Sequence, residues 1–440
     1  MKRLRFTGLT VMVVAVGLVL AACNGDETAD EAAPEPEDEE VEEEEPDDDP
    51  DDVDEAADGD PIRIGFLSPM TGPVPLAGQD AENGLELFWE QHDYEVAGRP
   101  VEYILADTGC DPDGAITQAR RLIDQEDVHL IIGPLCGSEA EPVAGVSADT
   151  GVPVFINIAG GGPVTQPSEV DTTIRLGPTS SQGGHPFGEW LYEEAGCRDV
   201  FAFGTDYTHG HETLLSTLYT FEEAGGNVLD VQWQPFGTTD FGPYLGSIPD
   251  GTDCVVPVAA GVEQPILLEQ WFDFGLDDEY EIYSPFWMQE DTMPEMDDRA
   301  VGIVGGSMLW AGGLDTPEAQ EFVNAFAEEY GYVPAIYAEY TYSAALWLYE
   351  AMEMIDGNVE DTDALLDAVR SIEIDAPRGP LRLDEHNNPI QNVYITQVEM
   401  VDHPVLGETL MNVPIETIEE VSQFWTYDPD EFMDRMPYLP

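Results

Sequence analysis

Residues Leu105–Thr165 read LADTGCDPDGAITQARRLIDQEDVHLIIGPLCGSEAEPVAGVSADTGVPVFINIAGGGPVT, and their order of apolar runs and breakers decides the fold class. A strand ends near Ala106. Asp111 and Pro112 suit the N-cap and first position of a helix, and apolar residues then recur at Ala115, Ile116, Ala119, Leu122 and Ile123, the spacing of one helical face. Val128–Ile132 reads as a buried strand stopped by Gly133-Pro134. Ser138 and Glu141 have capping-box spacing for a second helix. Val152–Ile158 is a further strand, ending in Gly160-Gly161-Gly162. Strands alternating with helices predict an α/β parallel sheet, whose ligands bind beyond the carboxyl ends of the strands. Gly137-Ser138 and the triple glycine lie at that edge.

Upstream, Ile62–Leu67 is a first strand. A turn-rich loop, Pro69–Gly78, leads into a helix carrying Leu85, Phe88 and Trp89. Downstream, Thr173–Leu176 is an extended run into Gly177-Pro178-Thr179-Ser180. The plan then repeats: helices over Phe187–Ala195 and His211–Ala224, and strands over Val200–Gly204, Val228–Trp233, Cys254–Ala260 and Ile282–Trp287. Val301–Trp310 is a last strand, and Pro317–Tyr330 and Tyr337–Ile355 are amphipathic helices. The 380 residues after position 60 are too many for one small core and suit two lobes.

The N-terminus is of another kind. Lys2, Arg3 and Arg5 precede a short apolar run, Leu9–Leu20, and Leu20-Ala21-Ala22-Cys23 resembles a bacterial lipobox. Residues 1–22 are therefore expected to be a lipoprotein signal peptide, with Cys23 the lipid anchor. The run is short for a membrane span. Residues 23–60 carry 22 acids and no base, the composition of an extended, disordered tether. After residue 60 the chain keeps 69 acids against 11 arginines, a surplus of 58 negative charges. Such a domain repels itself at low ionic strength, and at molar salt the screening length falls to about 3 Å. We read this as adaptation to a saline environment. The same charge argues against nucleic acid or anionic lipid as a partner.

Cys110-Asp111-Pro112 and Ile132-Gly133-Pro134-Leu135-Cys136-Gly137-Ser138 resemble the C-D-P and I-G-x-L-C-S-S segments of the leucine/isoleucine/valine-binding family of type I periplasmic binding proteins. Ile62–Gly84 is similar to that family's opening strand and G-P-x-T-G loop. Tyr337–Glu353 is similar to its Y-A-x-x-x-Y-D-A helix, and Gly379–Glu385 to its G-P-x-R-F-D segment. The resemblance implies two doubly wound lobes joined by a three-strand hinge, with residues 61–178 and 311–393 in the first lobe and 179–310 and 394–440 in the second. It implies a monomeric substrate-binding lipoprotein of an ABC importer, outside the cytoplasmic membrane and held to it only by its anchor. Such a protein closes around a small organic solute of the branched-chain amino acid or amide class and docks on the permease with its ATPase. A ligand-sensing subunit of a signalling receptor is the alternative.

The resemblance also implies a Cys110–Cys136 disulfide. That leaves Cys197 and Cys254, before the first and at the start of the third strand of the second lobe. Those strands are neighbours in a 2-1-3-4-5 order, so a bond is feasible, and two free buried thiols are the other possibility.

Carried over from the family, the ligand site falls on Gly137, Ser138, Gly160, Gly161, Tyr207, Ala260 and Phe286. Ser138 can equally serve only as a cap. The departures matter: the hydroxyl after the second cysteine is replaced by Gly137, the loop Ala159–Pro163 lacks a threonine, and the acid that holds a ligand ammonium falls on Phe286. A shift of a few residues would put Glu290 there instead. An unpaired ammonium in a closed cleft is costly, so a larger or less charged ligand fits better, with Phe286, Trp287 and Trp310 as apolar walls. No nucleotide-binding glycine motif, nucleophile elbow or nucleophile–base set appears, and no cofactor is expected. His209-Gly210-His211-Glu212 offers metal-ligand types, but no third ligand group completes a site, and no metal is expected.

Overall fold

The computed structural model describes residues 59–166, 169–296, 298–435 and 438. The signal peptide, Cys23 and all of the tether but Gly59 and Asp60 lie outside the described residues. No helix among the described residues is long and apolar enough to cross a membrane.

The first lobe is built on a six-stranded sheet of order β2-β3-β1-β4-β5-β6. Its strands are β1 (Ile62–Ser68), β2 (Glu95–Val96), β3 (Arg99–Asp107), β4 (Leu130–Ile132), β5 (Val154–Ile156) and β6 (Thr173–Arg175). All pairings are parallel except the β2–β3 hairpin. β4, β5 and almost all of β1 are buried, as strands covered on both faces must be. The cover on one face is α2 (Pro112–Glu126) with α3 (Ala140–Thr150), and α1 (Pro75–Gln91) lies in the core of the other. Asp111 caps α2 by accepting from the Gly114 N–H at 2.8 Å, with Pro112 in the first turn, as its sequence predicts.

The start of α3 differs from expectation. A 3₁₀ turn, Gly137–Glu139, precedes it, and the carboxylate that reaches back is Glu139, not Glu141. Glu139 is buried beside the Cys136 N–H, the Thr108 hydroxyl and the Asp111 backbone, whereas Glu141 is exposed. Donors already gathered near Cys136 thus select the residue three positions after it.

The second lobe carries a parallel sheet of order β10-β9-β7-β8. It runs through α4 (Ser180–Glu193), β7 (Asp199–Thr205), α5 (Thr208–Ala224), β8 (Asn227–Gln234), α6 (Gly242–Leu245), β9 (Cys254–Val258), α7 (Glu263–Asp273) and β10 (Glu281–Ile282). The strand expected over Ile282–Trp287 is only two residues long. Pro285 has no N–H to give a ladder, and Phe286 instead bridges Gly306. The strand expected over Val301–Trp310 is β11 (Val304–Met308), which pairs antiparallel with β14 rather than joining the lobe's parallel sheet.

The chain continues through α8 (Pro317–Tyr330), α9 (Ile336–Met354) and α10 (Thr362–Ser371), whose apolar faces join α1 in one core. β12 (Ile374–Ala376), β13 (Gly379–Leu383) and the hairpin of β14 (Pro389–His403) and β15 (Gly407–Val421) follow. β14 pairs β13 at Pro389 and Ile390 and β11 from Tyr394 to Gln397. After β15 comes α11 (Pro429–Arg435). In this tail Phe424, Phe432 and Tyr438 form a small core with Leu215 and Tyr219 of α5. Both disulfides are formed: Cys110–Cys136 with Cα atoms 5.6 Å apart and Cys197–Cys254 with Cα atoms 5.9 Å apart. The second follows from the pairing of β7 with β9, which sets Val200 opposite Cys254.

Candidate ligand cleft between the lobes

The carboxyl ends of β4, β5, β7 and β9 converge on one cavity. Gly137 and Gly160 follow β4 and β5; Tyr207 and His209 follow β7; Ala260 follows β9; Phe286 and α9 complete the wall. The cavity volume is about 70 Å³, several times what one water needs. Across the cleft, Val74 Cγ1 lies 3.2 Å from where a Cβ on Gly261 would stand, so the lobes meet over the cavity.

Five of the seven residues expected at the site line this cavity: Gly137, Gly160, Tyr207, Ala260 and Phe286. Ser138 and Gly161 do not. Ser138 sits within the 3₁₀ turn, and the Gly161 carbonyl accepts from Arg175 Nη2 at 2.5 Å. In the triple glycine at this edge, the Gly162 N–H donates to the Glu212 carboxylate, at 3.0 and 3.2 Å to its two oxygens. Trp287 and Trp310 are core residues rather than cavity walls. Each is fully buried, with its indole N–H donating to a backbone carbonyl, of Gln264 and Pro334 respectively. Glu290 is also away from the cavity. It accepts from the Gly312 N–H at 3.2 Å and from Asn412 at 3.1 Å.

Gly160 is required by close approach. The Ser180 N–H donates to its carbonyl at 2.8 Å, and a Cβ on Gly160 would lie 2.8 Å from the Ser180 nitrogen. On the opposite wall, Tyr207 stacks on Phe236 with ring centroids 4.4 Å apart, and the His209 ring meets Phe286 edge-on, also at 4.4 Å. His209 Nδ1 lies 2.9 Å from Ser180 Oγ and 3.4 Å from Thr213 Oγ1. Its Nε2 is buried with no hydrogen-bond partner among the described residues. Burial pushes the His209 imidazole down to about 4, so it is neutral at pH 7.

The three metal-type side chains of the His209–Glu212 run have separate partners. His211 bonds Asp206 Oδ1 at 2.7 Å and Glu212 takes Gly162. Among the described residues no three such groups form a metal site.

No Asp, Glu, Lys or Arg lines the cavity among the described residues. Tyr207, Tyr337 and Tyr340 are held in the phenol form by burial, which raises each above the ordinary tyrosine value. Sequence reasoning missed Ser180, Thr213, Tyr337 and Tyr340 as wall residues. Tyr337 opens the helix whose motif carried the family resemblance, a signal that was present. Thr213 had none, because it comes to the cavity only through the turn after β7.

The family model described as "Periplasmic binding protein" matches residues 61–403. A Leu/Ile/Val-binding protein homolog 6 of Brucella melitensis is 26% identical over 376 residues, covering 83% of this chain and 93% of that protein. An ABC transporter substrate-binding protein from Sphaerobacter thermophilus superposes with a TM-score of 0.76 at 32% identity, covering 82% of this chain and 99% of the other. A solute-binding protein of an ABC transporter from Rhodopseudomonas palustris BisB5, in complex with 3,4-dihydroxybenzoic acid, gives a TM-score of 0.77 at 27% identity, with 82% and 98% covered. The chain belongs to the periplasmic binding proteins, non-enzymatic receptors with two α/β lobes, and is the substrate-binding protein of an ABC transporter.

Proposed function

We propose that this receptor captures a small organic solute with a flat apolar body and no ammonium group, an aromatic acid or a neutral relative of one, rather than a branched-chain amino acid. The carrying observation is a cavity without a carboxylate. An α-amino acid would bury its ammonium against Phe286 and Ala260, and an unpaired buried charge costs several kcal/mol. The aromatic pairs Tyr207–Phe236 and His209–Phe286 offer ring faces and edges to a planar ligand. Phenol O–H groups of Tyr207, Tyr337 and Tyr340 are donors for its oxygens. The Rhodopseudomonas relative, bound to a dihydroxybenzoic acid, supports the same class.

The test is calorimetric titration at molar salt with leucine, isoleucine, valine and their amides, and with benzoate and its hydroxy derivatives. Micromolar binding is expected for an aromatic acid and none for leucine. Micromolar leucine binding would end the proposal.

In the same reading, Cys23 carries the lipid that holds the receptor on the outer face of the bacterial cytoplasmic membrane, and residues 24–60 tether it. The lobes, residues 61–178 with 311–393 and 179–310 with 394–440, close by hinge bending and then dock as a monomer on the permease and its ATPase. The surplus of 58 negative charges supports a saline habitat. Melting temperature should climb strongly from low to molar salt, and a flat profile would remove that part of the proposal.

A further inference from the structure

We infer that His209 presents an unprotonated Nε2 to the cavity and that the ligand carries an O–H or N–H donor against it, a phenolic hydroxyl in the aromatic class. This rests on the aromatic reading for the hydroxyl's identity, but the polarity of the nitrogen stands on the protein alone. Two hydroxyls flank Nδ1, and each has its own proton committed elsewhere. The Ser180 hydroxyl bonds the Glu212 carboxyl, which burial raises to about 7; above that pH the acid is ionised, only accepts, and takes the Ser180 proton. The Thr213 hydroxyl donates to the Ser180 carbonyl at 3.3 Å. Both oxygens therefore turn lone pairs toward Nδ1, at 2.9 and 3.4 Å, and Nδ1 must carry the hydrogen. A neutral imidazole with Nδ1–H leaves Nε2 as an acceptor. Nothing among the described residues bonds it, although it is buried in the wall of the cavity.

Glu212 is held for this task. Its carboxylate receives the Gly162 N–H from the first lobe and faces the Arg175 guanidinium, so the relay Glu212–Ser180–His209 starts at the contact between the lobes. A buried acceptor without a partner is uncommon in folded proteins and is filled by a ligand or a water. A site built around such a group rejects an analogue that lacks the matching hydrogen.

The polarity is read by long-range ¹⁵N–¹H correlation on the protein at about pH 8.5 and molar salt, where Glu212 is ionised. His209→Gln identifies the His209 signals among the seven histidines. His209 is expected as the Nδ1–H tautomer with a pyridine-like Nε2, and an Nε2–H tautomer overturns the inference whatever binds. The ligand arm titrates benzoate, its 2-, 3- and 4-hydroxy derivatives and their methyl ethers. One hydroxy isomer should bind about tenfold or more tighter than benzoate, and its methyl ether should lose that gain. His209→Phe should abolish the gain, read as the ratio of hydroxy-isomer to benzoate affinity within the one variant, and His209→Gln, whose amide oxygen still accepts, should keep part of that ratio. Equal affinity for benzoate and every hydroxy isomer would mean that water serves Nε2, and the inference falls while the aromatic reading stands. If leucine binds and no aromatic acid does, the aromatic reading fails, and the tautomer measurement still decides the polarity of His209.

Discussion

The two walls of the cleft are made of different material. At its strand ends the first lobe contributes backbone, Gly137 and Gly160 after β4 and β5 beside a cysteine locked in a disulfide, while its side chains Tyr337 and Tyr340 come from α9. The second contributes side chains: Tyr207, His209, Phe236 and Phe286. Backbone groups are fixed in place by the sheet and cannot be exchanged without moving it, so the first wall suits a constant task. Side chains can be replaced one at a time, so ligand choice belongs to the second wall.

The disulfides offer the sharpest way to break the comparison. Cys110–Cys136 stands at the ligand edge, directly before Gly137, whereas Cys197–Cys254 joins the amino ends of β7 and β9, away from the cleft. Chain entropy alone assigns about 3.5 kcal/mol to a loop of 26 residues and about 4.2 to one of 57. Replacing either pair with serines should therefore lower stability by about 2–5 kcal/mol. Only loss of the first pair should also weaken binding of an aromatic probe. Equal loss of binding from both would mean that the two walls do not act separately.

The buried acids give a smaller effect, in pH. Burial pushes both Glu139, behind the first wall, and Glu212, behind the second, from 4.5 up to about 7, against hydrogen bonds that lower them. In the window from about 4.5 to 7 the folded protein holds protons that the unfolded chain has released. Their contribution to stability is therefore full below about 4.5 and is lost as pH rises through about 7. At molar salt, where general repulsion is screened, stability should be higher at pH 5.5 than at pH 8 by about 1–3 kcal/mol. Glu212→Gln should remove part of that slope. A flat or opposite slope would refute the shifts.

How much of this was legible in the sequence follows the same division. The strand ends, Gly137, Gly160 and the Cys110–Cys136 bond lie in one continuous stretch, where local periodicity and turn chemistry suffice. Ser138 was misplaced because capping-box spacing fits both Ser138–Glu141 and Cys136–Glu139, and only burial of Glu139 chooses. Trp287 and Trp310 read as walls because a large apolar side chain looks the same in sequence whether it faces a ligand or the core. The task of His209 depends on Ser180, 29 residues earlier, and through it on Glu212; no local pattern records that relay.

The glycines of the first wall give the smallest and most specific test. Gly160→Ala would bring a methyl to 2.8 Å from the Ser180 backbone nitrogen, where no side chain can swing aside. Shifting α4 or β5 to admit it should cost about 1–3 kcal/mol. Gly137→Ala places its methyl 3.6 Å from the backbone nitrogens of Gly161 and His209, an ordinary contact, at a backbone conformation open to alanine. Folding should then be unchanged or improved by about 0.4–1 kcal/mol, because the unfolded chain loses freedom. The same methyl enters the cavity where a ligand must sit against the first wall, so affinity for the aromatic probe should fall while melting temperature does not. If Gly137→Ala binds as well as the wild type, the ligand rests on the side-chain wall alone, and the backbone of the first wall has no part in holding it.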